Sequence, residues 1–286
     1  MQYSIRGSVS DRGDNVKYLK NARICVPGVF IAILLVTAVF SKVLAPLDPM
    51  EMHQDHTLKP PGAGFVLGTD EFGRDILSRI VAGSTLTVLV SGGAVAVGTI
   101  SGTLLGLVAG YYGGVTDMII MRACDVVLCF PPILLATFIV AFWGSSILNL
   151  ILVLGLLQFP RNCRVTYSMT LYTKNMEFVE AARAQGASRL RIILRHVLPN
   201  IMAPIIVQAS LGLGTTILTE SGLSFLGLGP PPTVVTWGRM IMQSMRFMRL
   251  SPLVVVWPAL VISLTVLSFN LLGDAIRDAV DPRLRQ

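Results

Sequence analysis

Residues 85–110 read TLTVLVSGGAVAVGTISGTLLGLVAG, without a charge, and Ala94, Gly98, Gly102, Gly106 and Gly110 recur in them at every fourth position. The run exceeds the ~20 residues with which a helix crosses a hydrocarbon core of about 30 Å. Its apolar residues are continuous rather than alternating, so a membrane strand is excluded and a helix, which satisfies its own backbone polar groups, is expected. Positions four apart share one helical face. Small residues on that face admit a second helix to backbone distance, a packing device used where lipid supplies no hydrophobic drive between helices. Gly98, Gly102, Gly106 and Gly110 are therefore expected to be helix-packing positions.

Five further apolar runs flank this one, at 24–45, 117–142, 147–167, 201–219 and 253–273, so the fold class expected is an all-α membrane protein with six transmembrane helices. Composition agrees: the chain is 53% hydrophobic and 14% charged, against about 25% charged residues in ordinary soluble domains. The run at 24–45 follows about two dozen residues and shows no small-residue cleavage site, so it reads as an anchor rather than a removable leader. Cys25, Cys124, Cys129 and Cys163 lie in or beside apolar runs without metal-type or framework spacing and read as small hydrophobes.

Six spans put both termini on one side. That side holds Arg6, Arg12, Lys17, Lys20 and Arg23, the arginines from Arg161 to Arg195 in or just before the longest inner loop, and Arg277, Arg283 and Arg285. Fewer cations fall on the other side, so the termini and the loop after the fourth run are expected to be cytoplasmic. The formal net charge of +7 then reflects topology, and no nucleic acid partner is expected, because there is no soluble basic domain to hold a duplex. A phosphate-cradling GxxxxGK[ST] loop is also missing: none of Lys17, Lys20, Lys42, Lys59 and Lys174 sits in such a frame, and the pairs Gly212/Gly214 and Gly227/Gly229 lack the spacing of a dinucleotide loop. Any ATP that drives this chain is hydrolysed by another one.

Residues 174–200 are polar, rich in helix formers and broken once, at Gly186. Two short helices are expected, with Asn175 capping the first, Gly186 in its C-terminal turn, Ser188 capping the second and Pro199 opening the next span. Within this loop Glu180-Ala181-Ala182 is followed by three residues, Gly186, nine residues, His196, and then Leu198-Pro199. The pattern resembles the EAA loop of binding-protein-dependent ABC importers, which docks into a groove of the ATPase subunit. His196 stands where that family usually has isoleucine, while Val197 and the Leu-Pro pair keep the frame. The resemblance makes Glu180, Ala181, Ala182, Gly186, Arg189, His196, Leu198 and Pro199 the ATPase-coupling residues. The chemistry is suitable, since small alanines allow close approach and Arg183, Arg189, Arg191 and Arg195 can pair with acidic groups.

Further stretches resemble the oligopeptide/dipeptide/nickel permease family: Ala45-Pro46-Leu47-Asp48-Pro49, Gly68-Thr69-Asp70-Glu71-Phe72-Gly73-Arg74-Asp75, Gly110-Tyr111-Tyr112-Gly113-Gly114, Phe130-Pro131-Pro132, Ser224-Phe225-Leu226-Gly227-Leu228-Gly229, Trp237-Gly238, Phe269-Asn270-Leu271-Leu272-Gly273-Asp274 and Asp281-Pro282-Arg283. The second reads by itself as a helix start, with Thr69 or Asp70 as cap and Asp75 and Arg79 paired one turn apart. The resemblance spans about residues 45–286 and implies a type I ABC importer permease core, the second of two unlike permease subunits. It implies a sister permease in a heterodimer, two ATP-binding subunits that hold ATP and Mg, an extracytoplasmic solute-binding protein, and a bacterial inner membrane. No cofactor and no catalysis are assigned to this chain. Di- or oligopeptides are the cargo implied, with nickel or a metal chelate as the alternative.

Two intramembrane acids are candidates for a gate or pathway role. Asp125 lies about two turns into the third run, where an ionisable group is costly unless paired, and Arg122 is expected as its local partner. Glu220 lies near the outer end of the fifth run, beside a glycine-rich stretch expected to interrupt the helix at 221–229, and is expected to be solvated. His53 and His56, with nearby Met and acidic residues, could hold a transition metal, but a flexible loop without a metal is the reading preferred. A proton-coupled carrier would place ionisable groups at several midplanes and show inverted repeats, and an intramembrane enzyme would need a nucleophile and base within the spans; neither pattern is present. The segments expected are an N-terminal cytoplasmic piece at 1–23, the first span at 24–45, an extracytoplasmic loop at 46–84, a five-helix core at 85–273 containing the loops at 174–200 and 225–251, and a tail at 274–286.

Overall fold

The computed structural model describes residues 25–62 and 64–280. The expected segment 1–23 and the Asp281-Pro282-Arg283 motif therefore lie outside the described residues. Among the described residues eleven α-helices follow in order: α1 (Cys25–Val39), α2 (Ser41–Leu44), α3 (Ile76–Tyr112), α4 (Gly114–Leu128), α5 (Pro132–Trp143), α6 (Ile147–Thr173), α7 (Glu177–Ala184), α8 (Arg189–Ile192), α9 (Leu198–Phe225), α10 (Trp237–Ser244) and α11 (Leu253–Val280). No strand occurs among the described residues. By length and apolarity alone three helices can cross a membrane, Ile76–Tyr112, Arg189–Phe225 and Leu253–Ala279, or four if the bent pair α4 and α5 is one span.

All six apolar runs fall on helices, and their outlines differ from the sequence reading. The helix at the second run begins nine positions earlier than expected, because Asp75, not Thr69 or Asp70, is its N-cap and accepts Ser78 N–H at 2.8 Å. At 37 residues it is about 55 Å long and projects beyond a bilayer's apolar core. It ends where Gly113 and Gly114 both take positive φ, +67° and +61°, a reversal that side chains disfavour. The third run is two helices bent by 90°. Pro131 and Pro132 supply no N–H for a continuing helix, and the residue before each is pushed out of helical geometry. The second half of the loop at 174–200 runs unbroken into the helix of the fifth apolar run. Pro199 offers no N–H to the preceding turn, and residues Ile193–Val197 widen into a π turn in which Leu198 N–H reaches the Ile193 carbonyl.

The central contact is α3 against α6, the most extensive helix pair in the fold. A Cβ on Gly98 would stand 2.6 Å from Gln158 Cβ, one on Gly102 would stand 2.8 Å from Cys163 N, one on Gly106 would stand 2.6 Å from the Cys163 carbonyl oxygen, and one on Gly110 would stand 2.7 Å from Thr170 Cβ. The atoms met are backbone or Cβ atoms of α6, which cannot swing aside, so at this spacing only glycine fits. Leu86, Val90 and Ala94 of α3, Val140 of α5, Leu150 and Leu154 of α6 and Leu223 of α9 close one core. Trp237 of α10 anchors another with Ile217, Val254 and Ile262, and its indole N–H donates to the Ile80 carbonyl at 3.0 Å. Outside these cores, Val39, Ile100, Leu104, Phe138, Phe142 and Leu267 stay exposed, an apolar exterior suited to hydrocarbon rather than water.

Gly102→Ala is expected to lower the melting temperature of the purified protein by several degrees, since overpacking costs about 1–3 kcal/mol. Gly92→Ala, in the same helix with nothing within 4 Å of the added Cβ, is expected to be neutral or slightly stabilising; thermal unfolding in detergent compares the two.

Candidate functional site

The residues singled out in the sequence gather in two places, the loop around α7 and α8 and the polar groups between α4, α6 and α9. The loop comes first. Asn175 does not cap α7; its amide donates to the Leu171 carbonyl at 3.1 Å, and Met176 occupies the N-cap position without a side-chain bond. The first turn of α7 carries Glu177 and Glu180 and the last carries Arg183, the order that a helix dipole favours. The helix closes through Gly186, at φ +81°, with Gly186 N–H on the Arg183 carbonyl at 3.0 Å and Ala187 N–H on that of Ala182 at 3.1 Å. This is a glycine-terminated turn whose geometry other side chains resist. Ser188 caps α8, accepting Arg191 N–H at 3.4 Å.

The loop stands on apolar feet. Val179, Ile192, Ile193 and Val197 are buried with Leu107 of α3 and Ile201 of α9. Above them Glu180, Ala181, Gly186, Arg189 and Pro199 are exposed, and Ala182, His196 and Leu198 are half-buried. Phe178, Leu190 and Leu194 are exposed apolar side chains beside these groups. Lys174 donates to the Gly110 carbonyl at 2.7 Å, and the Arg189 guanidinium lies 5.9 Å from the Tyr112 ring centroid. The loop is thereby tied to the end of α3, the helix that carries the glycine stripe.

Within the bundle, Asp125 is bound by Arg164 of α6 at 2.6 Å, while Arg122, the partner expected from spacing, is at 3.5 Å. The bond therefore joins two helices rather than neighbours on one. Asp117 adds a second link between the same helices, accepting from Tyr167 at 2.8 Å. Glu220 is not solvated as expected: it is 1% exposed and accepts from Ser224 at 2.7 Å. The interruption expected within 221–229 falls late in that stretch: α9 continues through Phe225 and the positive-φ break is at Gly227. Facing Glu220, Arg239 of α10 donates to the carbonyls of Pro230, Pro231 and Val234 and so holds the proline loop. Burial lowers the affinity of Arg239 for its proton, and the Glu220 carboxylate works against that.

The start of α3 is also rearranged. Asp70, not Asp75, is the ion-pair partner, of Arg74 at 2.7 Å and Arg79 at 3.5 Å, all of them buried. His53 and His56 pack against Phe65, and His56 Nδ1 is 2.5 Å from Lys59 Nζ. No group of three or more metal-ligating residues is assembled among the described residues.

Sequence reading missed Gln158. Its amide donates to the Gly212 carbonyl at 3.1 Å and to the hydroxyls of Thr215 and Thr216 at 2.9 and 2.7 Å, clamping α6 to α9. An amide in the middle of an apolar run was the available signal. Arg161, which falls within the fourth apolar run, is inside α6, and that helix continues beyond the run to Thr173. It lines a cleft of about 320 Å³ with Gln158, Leu154, Thr215 and Thr219 and the bend residues Phe130 and Pro132. A larger cleft of about 540 Å³, at Ser41–Pro49 and Ala82, touches none of these groups.

The model of the family described as binding-protein-dependent transport system inner membrane component matches residues 102–286. The chain is similar to the dipeptide transport system permease protein DppC of Alkalihalophilus pseudofirmus, with 42% identity over 97% of this chain and 92% of the relative. It is 43% identical to the glutathione transport system permease protein GsiD of an Escherichia coli strain, over 90% and 85%, and 40% identical to the di/tripeptide transport system permease protein DppC of Pseudomonas aeruginosa, over 90% and 86%. Among solved structures, a chain of the MetNI methionine ABC transporter in an inward-facing form superposes with a TM-score of 0.59 and 18% identity, over 71% of this chain and 96% of that one. That likeness concerns the fold.

Gly186→Ala is expected to destabilise the α7 turn by about 1 kcal/mol, the cost of a side chain at left-handed φ. Amide hydrogen exchange should then accelerate in residues 177–192 and stay unchanged in α11.

Proposed function

The chain belongs to the family of binding-protein-dependent transport system inner membrane components, and from that premise we propose that it is a permease subunit importing di- and oligopeptides. Most directly, this reading is carried by the identity of 42% over nearly the whole chain to a dipeptide permease. The glutathione and di/tripeptide relatives add cargo of the same class, short peptides with free carboxylates. They favour peptide over nickel import. The chain is a membrane component and not an enzyme.

The working importer has this chain beside a sister permease, each contributing to one pathway, with two ATP-binding subunits below and an extracytoplasmic solute-binding protein above. In this arrangement the chain crosses the bacterial inner membrane six times with both termini in the cytoplasm: α1 with α2, α3, α4 with α5, α6, the long helix ending in α9, and α11. ATP binding closes the two ATPase subunits and moves the loop at 174–200. Glu180, Ala181, Ala182, Gly186, Arg189, His196, Leu198 and Pro199 form the docking surface. The apolar feet at Val179 and Ile192 and the Lys174 bond to Gly110 support this lever, because they give a moving loop a stiff attachment to α3 and α9. Each state is favoured by differential contacts, as a coupling between two sites requires. The glycine stripe at Gly98, Gly102, Gly106 and Gly110 keeps α3 and α6 together while the lever moves. Asp125, held by Arg164, and Glu220 are proposed to set the positions of α4 and α10 at the pathway's edge.

Uptake of a labelled dipeptide, a labelled tetrapeptide and radioactive nickel by cells with and without this gene tests the reading. Gene-dependent peptide uptake is expected, reduced at least tenfold by Gly186→Pro, since proline cannot adopt φ +81°, with the variant still inserted in the membrane. Nickel uptake alone, or full peptide uptake by the variant, would contradict the cargo or the lever respectively.

A further inference from the structure

Arg161 is the feature that the fold and the coupling loop leave unused. It sits midway along α6, exposed to the cleft, and makes no hydrogen bond or ion pair among the described residues. Its neighbour Arg164, one position short of a turn away, is neutralised by Asp125. A guanidinium inside a membrane-spanning segment is unfavourable by about 2.5–3.5 kcal/mol even on the mildest scale, so such groups face a cavity or a partner and mark functional positions.

The cleft around it has the chemistry of a site for a short amphiphile. Leu154, Leu157, Gln158 and Arg161 follow one another at helical spacing and form one wall. Thr215 and Thr219 add hydroxyls from α9, and Phe130 and Pro132 add an apolar edge where α4 breaks from α5. Broken helices at membrane depth are tolerated where they line a cavity, and substrate sites of transporters are built beside such breaks. The volume of about 320 Å³ is at the small end of the range for ligand pockets, roughly 300–1,000 Å³, which suits two or three residues of peptide and not a folded partner. No carboxylate lines the cleft, so a cationic group would gain nothing there, whereas an anionic group meets a planar fork able to hold it by two parallel bonds.

We propose that this cleft receives the terminal carboxylate of a short peptide in transit, with Arg161 as the receiving group and Leu154, Leu157 and Phe130 as the wall for the adjoining side chain. The assignment rests on the peptide reading above and refines it. It places a carboxylate-selecting step in the permease itself.

The test uses the assembled importer purified with its subunits and placed in lipid nanodiscs without the solute-binding protein. Equilibrium dialysis measures binding of labelled Ala-Phe and of its C-terminal amide, at millimolar concentration, to wild type, R161K and R161Q. Wild type is expected to prefer the free acid roughly tenfold, the worth of a charge-assisted hydrogen bond. R161K should keep part of that preference, and R161Q should bind acid and amide alike. Absence of binding to wild type, or an undiminished preference in R161Q, would overturn the assignment. So would failure of R161Q to assemble while R161K assembles, which would give Arg161 a carboxylate on a neighbouring subunit. Peptide uptake in cells is measured separately, so a failure here with uptake intact removes the site and leaves the peptide reading standing.

Discussion

At Gly98, Gly102, Gly106 and Gly110 the backbone of α3 lies so near that of α6 that a single methyl group at any of them would stand 2.6–2.7 Å from its nearest neighbour. That approach sets the spacing of everything else. With α3 and α6 in contact along their lengths, Gln158 on α6 is presented to α9 at the height of Gly212, whose carbonyl its amide reaches at 3.1 Å. Residue Gly214, two positions on, leaves room for Asn270 of α11, whose amide oxygen would be 2.8 Å from an added Cβ. Glycines and amides thus take the place that large apolar side chains hold in a water-soluble core. Where lipid competes equally well for leucine, close approach and hydrogen bonding distinguish one helix neighbour from another.

The same seam extends to the loop at 174–200, proposed above to couple the chain to its partners. Lys174 at the end of α6 bonds the Gly110 carbonyl at the end of α3, and Arg189 lies over Tyr112. A displacement of α7 is therefore passed to the packed pair and, through the helix that runs from Arg189 to Phe225, to the opposite end of the bundle. That end is held by buried polar groups, Asp70 with Arg74 and Arg79, and Arg239 with three carbonyls. A stiff lever held by polar contacts at both ends suits a subunit that moves between two arrangements without unfolding.

Much of this was legible in the sequence, for physical reasons. Hydropathy placed all the apolar runs on helices, and the four-residue glycine period marked the face that meets α6. Gly186 and Ser188 mark the turn between α7 and α8 because their backbone and capping chemistry is local. What was not legible depended on contacts distant in sequence. Spacing offers Asp125 only Arg122, whereas the fold brings Arg164 from another helix to 2.6 Å. Spacing likewise pairs Arg79 with Asp75, but Asp75 is occupied as the cap of α3 and Asp70 takes the guanidinium. Glu220 was read as solvated because hydropathy cannot show that α10 folds back over it. The bend between α4 and α5 was signalled by Pro131-Pro132, although a window that averages hydropathy over the run passes across it.

The claim on which the account turns is that the loop at 174–200 faces the ATP-binding subunit. Cysteine crosslinking in cells measures this directly, with Ala182→Cys in the loop and Ser145→Cys in the turn between α5 and α6 at the other end of α6. A crosslink from position 182 to the co-purifying ATP-binding subunit, and none from position 145, is the result the account predicts. A crosslink from position 145 with none from 182 would invert the topology and contradict it.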